Sequence, residues 1–466
     1  MIADRAPRIV VAGLGGDSGK TLLSLGLLLS FRRAGREVAA FKKGPDYIDA
    51  AWLSWASGRP ARNLDSYLMG FDIAADSFCR HATRGGLNVI EGNRGLYDGV
   101  DSAGTHSTAE LAKAIQAPVI LVVNATKVTR TAAAYVLGCQ AMDPALRLAG
   151  VVLNQVAGKR HEAILCQAIA ETCAGIPVLG VLPRAPGEAV LPGRHLGLVT
   201  PGEHPRIAEL ESNLSRLLEG HIDLDQLAAI AAAAPPLPVP APSGHLSAGS
   251  VGVKIGYVHD SAFTFYYPEN LEALERGGAQ LVPVSALSDQ ALPPGLQALY
   301  IGGGFPETHG VALSENISFL ASVRQAAERG LPIYAECGGL MFLSQALHWH
   351  GGRYPMAGVL PFEVEVTARP QGHGYAELEV DEDNPFFAPG TRLKGHEFHY
   401  SRILAPGAPP PTACSVKRGT GVLAGRDGVV VGRVWASYTH LHALATPKWT
   451  NSLLSIAGDF ARQCNS

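Results

Sequence analysis

One cysteine, two histidines and two runs of glycine carry the chemistry legible in the second half of the chain. Residues 331–343 read LPIYAECGGLMFL. The apolar run Leu331 to Ala335 ends in Glu336-Cys337-Gly338-Gly339, and a second apolar run, Leu340 to Leu343, follows at once. This pattern predicts a buried strand, a sharp turn and a helix start, with Cys337 held in the turn. The positive end of a helix favours a thiolate. The two glycines let the backbone turn tightly and let a substrate carbonyl approach the main chain. Such a nucleophile elbow, with Cys in place of Ser, suits covalent catalysis. The alternative is a small buried cysteine at a strand end.

Residues 434–443 read VWASYTHLHA, which predicts a strand with His440 and His442 at its end, on one side by alternation. A thiol and a distant histidine form the pair that thiol catalysis requires, adjacent in space rather than in sequence. Residues 299–307 read LYIGGGFPE, an apolar strand feeding three glycines. The backbone N–H groups of Gly303 and Gly304 are candidates to stabilise an oxyanion. Strand-glycines, strand-cysteine and strand-histidine in this order resemble a class I glutamine amidotransferase domain. The resemblance implies hydrolysis of L-glutamine through a thioester, with release of ammonia. In that family a Glu usually stands two residues after the histidine. His442 stands there in this chain, which leaves open what orients His440.

The first half offers a different chemistry. The β-branched run Arg8 to Ala12 opens into Gly13-Leu14-Gly15-Gly16-Asp17-Ser18-Gly19-Lys20-Thr21, followed by an apolar helical stretch, Leu22 to Phe31. This is a phosphate-binding loop. Backbone N–H groups, with Gly13, Gly16 and Gly19 shaping the turn, cradle phosphate; Lys20 reaches the outer phosphates and Thr21 offers a hydroxyl to magnesium. The usual first glycine of such a loop falls on Leu14, and Gly13 lies one place earlier. The spacing resembles the dethiobiotin-synthetase type. The partition-ATPase type carries an additional lysine, near the place of Gly15.

Two more strand ends feed this crevice. VAAFKKGPDYID, residues 38–49, delivers Lys42, Lys43, Asp46, Tyr47 and Asp49, and LNVIEGNRGLYDG, residues 87–99, delivers Glu91 and then Asp98. Open α/β sheets bind ligands at the carboxyl ends of their strands. A carboxylate there is where magnesium is held. Glu91, Asp98 and Asp46 are therefore metal or acid–base candidates. Further apolar strands, PVILVVN (118–124), LAGVVLN (148–154) and IPVLGVL (176–182), alternate with helical stretches. The fold class expected is α/β: a P-loop NTPase-like doubly wound parallel sheet, then a glutamine amidotransferase-like α/β domain. Residues 206–234 read as one long helical stretch. PPLPVPAP, residues 235–242, suits an extended linker. The expected domains are 1–200, a helix-and-linker segment 201–250, and 251–466.

Composition excludes other classes. The chain has 466 residues, 47% hydrophobic and 17% charged, with a net charge of −3, so neither nucleic acid nor an anionic membrane is an expected partner. Its seven cysteines are scattered and never spaced CxxC, which fits a reducing cytoplasm rather than a disulfide framework or zinc site. No apolar run approaches a membrane span, and the first residues do not read as a signal peptide. GHEFHYS, residues 395–401, contains His396, Glu397 and His399 and reads as a half-buried polar strand rather than a metal site.

Taken together, GGDSGKT, FKKGPDYID, GRPARNLDSYL, EGNRGLYDG, FYYPENLEALERGGA, GGGFPETH, YAECGGLMFL, YPMAGVLP, GHEFHYS and SYTHLH resemble the cobyrinate a,c-diamide synthase family over almost the whole chain. The resemblance implies an ATP-dependent ligase, with Mg2+, fed with ammonia by the second domain along a protected path. It makes His440 the residue that activates Cys337, with an HLH ending usual. The substrate implied is a tetrapyrrole polycarboxylate (cobyrinate, hydrogenobyrinate, or a sirohydrochlorin or sirohaem type) amidated on its a- and c-acetates through acyl phosphates. A homodimer is a candidate assembly. The chain departs from the family's usual pattern at Asn93-Arg94, at Asn124 and Lys127, and at Gln155. With Tyr47, Arg94 and Lys127 are substrate candidates. Extra cations beside a polycarboxylate point to a more acidic, less methylated macrocycle. The reading carried against this one is a regulatory or partition-type P-loop ATPase with an inactive amidotransferase domain.

Overall fold

Short, uniformly apolar runs separated by helical stretches build a parallel sheet in the first half of the chain. The computed structural model describes residues 6–184, 193, 194, 197–237, 252–404 and 409–464. The chain divides into two compact units, Met1–Pro242 and Ser243–Ser466.

The first unit runs β1 (Arg8–Gly13), α1 (Lys20–Arg33), β2 (Val38–Lys43), α2 (Tyr47–Ser57), β3 (Arg62–Leu64), α3 (Ser66–His81), β4 (Leu87–Glu91), α4 (Thr108–Ala114), β5 (Val119–Asn124), α5 (Thr131–Met142), β6 (Leu148–Val156), α6 (Lys159–Thr172), β7 (Val178–Pro183), a short hairpin of β8 (Gly193–Arg194) and β9 (Gly197–Leu198), α7 (Ile207–Glu219) and α8 (Leu224–Ala232). Seven strands pair in the order β3-β2-β4-β1-β5-β6-β7, all parallel. Every residue of β1, β2 and β4 is buried, as a sheet covered on both faces requires. Because β1 lies between β4 and β5, the loops that follow these three strands converge at one sheet edge.

The single helix expected over residues 206–234 is two. Residues 220–223 leave helical geometry to line the free edge of β7: Val181 N donates to His221 O and Asp223 N to Leu179 O. Asp223 then caps α8 by accepting from Gln226 N. Backbone pairing at an open strand edge outweighs helix continuation. The proline run lies outside the described residues from position 238 onward.

The second unit contains β10 (Lys254–Val258), α9 (Pro268–Arg276), β11 (Gln280–Val284), β12 (Ala298–Ile301), α10 (Gly310–Glu315), α11 (Ile317–Glu328), β13 (Ile333–Glu336), α12 (Gly338–Leu343), β14 (Ala346–Trp349), β15 (Gly352–Pro355), β16 (Glu363–Val366), β17 (Gly372–Val380), β18 (Arg392–His399), β19 (Ser401–Leu404), β20 (Thr412–Arg418), β21 (Arg426–Val431), β22 (Val434–Ser437), β23 (His440–Leu441) and α13 (Pro447–Cys464). Ten strands form one mixed sheet, β11-β10-β12-β13-β22-β21-β20-β17-β18-β23, and β15-β14-β16-β19 form a smaller one. Alternation divides the core between the large sheet's two faces. Leu299, Ile301, Ile333 and Ala335 join one apolar cluster; Tyr300, Tyr334, Trp435 and Trp449 join the other. In β18, Gly395, His396, Glu397 and His399 are buried and only Phe398 of this run is half-buried, a drier strand than its composition suggests. Among the described residues, no helix is long and apolar enough to cross a membrane.

Candidate active sites

In the first unit, residues 14–19 link β1 to α1. Ser18 Oγ donates to Gly15 O at 2.9 Å, drawing the loop onto itself. Gly19 adopts φ +99° against β6; a Cβ there would lie 2.1 Å from Asn154 Nδ2, which donates to Ser18 O at 2.9 Å. Among the described residues, and beyond its two chain neighbours, nothing lies within 4 Å of a Cβ built at Gly15 or at Gly16, so their bare backbone leaves room for an anion rather than for a neighbour. Lys20 Nζ donates to Gly15 O at 2.7 Å. Burial and the nearby Lys42 ammonium hold the Lys20 ammonium below the usual lysine range.

Glu91, 0% exposed, closes β4 beside this loop. Its Oε1 accepts from Thr21 Oγ at 2.8 Å and from Lys42 Nζ at 2.9 Å, while Oε2 has no hydrogen-bond partner among the described residues. Lys42 Nζ also meets Asp49 Oδ2 at 2.5 Å. Burial alone would lower the Lys42 pKa; Asp49 and Glu91 outweigh it, and the group stays charged. Burial and the Asp49 carboxylate push Asp46 up to about 7, although its Oδ1 caps α2 by accepting from Asp49 N at 2.7 Å. Tyr47 follows that cap, half-buried. The loop after β4 is fixed on the phosphate loop by Leu96 N donating to Gly13 O. On it Asp98 is exposed, its Oδ2 accepting from Gly95 N, and Arg94 is exposed at φ +50°. Lys127, exposed at φ +59°, stands in the loop after β5.

In the second unit, Cys337 is the hinge between β13 and α12, at φ 48° and ψ −98°. Such a backbone costs of order 1–3 kcal/mol and is held by its surroundings. Cys337 N donates to Ser437 O at 2.7 Å, and Met341 N to Cys337 O at 3.0 Å. A Cβ at Gly338 would lie 2.9 Å from Gly304 N; one at Gly303 would lie 2.6 Å from His440 Cε1. The glycines after β12 thus pack against both the elbow and the histidine.

The thiolate expected from the helix end is not the resting state. Burial, then the Glu307 carboxylate, push the Cys337 thiol up, and the Gly338 N–H only partly offsets them. α12 is six residues long, and burial exceeds what its end contributes.

The single strand expected over 434–443 is also divided. Asp427 accepts from Tyr438 N, Thr439 N and Thr439 Oγ. The chain turns about that carboxylate from β22 to β23, which pairs with β18 so that His440 faces His396. Their rings stack at 5.0 Å and 21°. Burial and the neighbouring His440 and His442 hold His396 well below the usual imidazole range. His440 Nδ1 lies 3.3 Å from Glu336 Oε2. His442 goes elsewhere: its Nε2 is 3.7 Å from Glu269 Oε2, its Nδ1 accepts from Leu444 N, and its ring packs 4.4 Å from Tyr267. Asn270, on α9, holds the segment by donating to Leu441 O and accepting from Ala443 N.

A profile described as CobQ/CobB/MinD/ParA nucleotide binding domain matches residues 9–199, and one described as CobB/CobQ-like glutamine amidotransferase domain matches residues 254–448. A cobyrinate a,c-diamide synthase of Magnetococcus marinus is 43% identical over 96% of each chain. The chain belongs to the cobyrinate a,c-diamide synthase family. Its relatives with that name include proteins of Archaeoglobus fulgidus, 39% identical over 94% of this chain and 95% of theirs, and Salmonella typhimurium, 37% identical over 98% and 99%. As a family member the chain is a glutamine-dependent carbon–nitrogen ligase with an ATP-using nucleotide-binding domain.

For this synthase-family chain, motif reading missed Glu336 and His396 as site residues and gave Lys42, though placed at the crevice, no role of its own. Glu336 carried a faint signal, since an acid closing an otherwise apolar strand is buried only when paired. Lys42 stood beside Lys43 at a strand end, and nothing in the sequence says which of the two is aimed at Glu91.

Proposed function

We propose that the chain amidates the a- and c-acetate carboxylates of a cobyrinate-class tetrapyrrole, using ATP and ammonia from L-glutamine. The observation that carries this reading is the pairing, within one chain of this family, of a phosphate loop open at Gly15 and Gly16 with a strained, buried Cys337 whose neighbour Glu336 meets His440 Nδ1.

A carboxylate is a poor electrophile because its leaving group would be oxide. Transfer of the γ-phosphoryl group of ATP onto it makes an acyl phosphate, whose phosphate leaves when ammonia attacks. Lys20 leaves its contact with Gly15 O for the phosphate oxygens and offsets their charge. Magnesium fits the oxygen donors here: the Thr21 hydroxyl, Glu91 with its free Oε2, and Asp49. When bound, it would neutralise charge developing on the phosphoryl oxygens. Asp46, titrating near 7, is suited to take a proton from the attacking ammonia, with Asp98 as the other acid at this edge. In the second unit the Cys337 proton passes to His440 as sulfur attacks the glutamine amide. The imidazolium then protonates the departing ammonia, and water hydrolyses the thioester to glutamate. The N–H groups of Gly303 and Gly304 are the proposed oxyanion donors. The partition-type alternative is not favoured.

A sirohydrochlorin or sirohaem-type macrocycle remains a second reading, favoured by the exposed Arg94 and Lys127 flanking the phosphate loop. Mass spectrometry of each macrocycle incubated with ATP, magnesium and glutamine tests both. Each amide lowers the mass by about one unit as OH becomes NH2. No amidated product from any of the macrocycles would overturn the proposal, and preference for cobyrinate in direct competition would remove the second reading.

A further inference from the structure

We infer that Glu336, the residue immediately before the nucleophile, is the positioning carboxylate that holds His440 in the tautomer able to take the Cys337 proton. The inference deepens the proposed glutaminase half-reaction and rests on it.

A histidine that accepts a thiol proton on Nε2 must carry its own proton on Nδ1, and an acceptor facing Nδ1 fixes that tautomer. Two residues after His440 stands a histidine, His442, not a carboxylate. His442 is engaged with Glu269 and with Leu444 N. Glu336 instead presents Oε2 to His440 Nδ1 at 3.3 Å. The carboxylate is itself fixed: Oε1 accepts from Leu441 N at 3.0 Å and from Tyr334 Oη at 3.2 Å, and Oε2 accepts from Tyr300 Oη at 3.3 Å. Leu441 N is the amide next to His440, so one carboxylate grips both ring and backbone of the base. The phenols stay neutral donors, since burial and then Glu336 itself raise both tyrosines well above their usual range.

The electrostatics agree with the geometry. Glu336 is 0% exposed, and among the described residues its one ion-pair partner is His440. A buried carboxylate without Lys or Arg beside it gains most when the imidazole becomes an imidazolium. That is the state formed when Cys337 gives up its proton. Glu336 and Tyr334, two apart on β13, share one face of the sheet, whereas Cys337 joins the apolar cluster of the other.

The test is E336Q in the full-length enzyme. Its amide still accepts from Leu441 N but presents an N–H to Nδ1, forcing the ring proton onto Nε2. The expected result is a fall in glutaminase kcat of about a hundredfold or more, with KM for glutamine and ammonia-supported amidation unchanged. The acid limb of the glutaminase pH profile should move to lower pH, because the imidazolium loses its counter-charge. E336D should recover part of the rate, and H442N should retain most of it. Retention of glutaminase by E336Q, or a pH profile that does not move, would overturn the inference. Were E336Q to misfold, 15N NMR of histidine-labelled wild-type protein, with His440 assigned by H440A, still decides: a ring proton on Nε2 contradicts it. The two failures are distinguishable. Glutaminase surviving in C337A sinks the half-reaction itself, whereas glutaminase lost in C337A but intact in E336Q sinks only the role of Glu336.

Discussion

Two glutamates, Glu91 and Glu336, are both 0% exposed and both close a parallel strand just before a functional loop, yet their surroundings are opposite in kind. Glu91 sits among formal charges, with Lys42 between it and Asp49 and Asp46 nearby. Burial and Asp49 push its carboxyl up; Lys42 and the Thr21 hydroxyl pull it down. Glu336 meets no Lys or Arg among the described residues; its contacts are two phenols, one backbone amide and one imidazole ring. The first environment is a balance of several ions with one carboxylate oxygen left without a hydrogen bond among the described residues. The second reserves one negative charge for a positive charge that appears and disappears on His440. The same element, a buried acid at a strand end, serves stored charge in one unit and transient charge in the other.

That contrast can be broken at Lys42. Replacement by Met leaves the buried Glu91 and the half-buried Asp49 without their cation and should destabilise the first unit by about 3–5 kcal/mol. Thermal unfolding should show the loss shrinking as pH falls and the acids protonate. An unchanged melting temperature would mean that the cluster is solvated rather than ion-paired. Next in size is K20A. It should cut amidation at least about a hundredfold with either nitrogen source, while glutamine hydrolysis persists. Parallel loss of glutaminase would mean that the two chemistries are not separable. Smallest is D46N. The folded protein binds the Asp46 proton more tightly than an unfolded chain does, so the native carboxyl costs stability as pH rises from its ordinary range through about 7. Asn keeps the cap to Asp49 N without the charge. Its melting-temperature advantage should therefore grow from acid to mildly alkaline pH; a constant difference would contradict the assigned shift.

The phosphate loop and the thiol elbow were legible because local rules build them. Glycines at forced dihedrals and an apolar strand–turn–helix pattern need no distant partner to be recognised. What was not legible depends on pairing far along the chain. Glu336 acquires its role only because β23 leaves β22 and joins β18, a turn set by Asp427. The break between α7 and α8 follows from an open edge on β7. The thiolate expectation failed on depth: the motif identifies a helix end but not how thoroughly the sulfur is buried.

The central claim is that nitrogen freed by Cys337 is consumed at a carboxylate activated through the Lys20 loop. The most direct measurement is product formation by C337A with glutamine and, separately, with ammonium at alkaline pH. The account predicts no amidated macrocycle with glutamine and near wild-type amidation with ammonium. Equal loss with both sources, or undiminished use of glutamine, would contradict it.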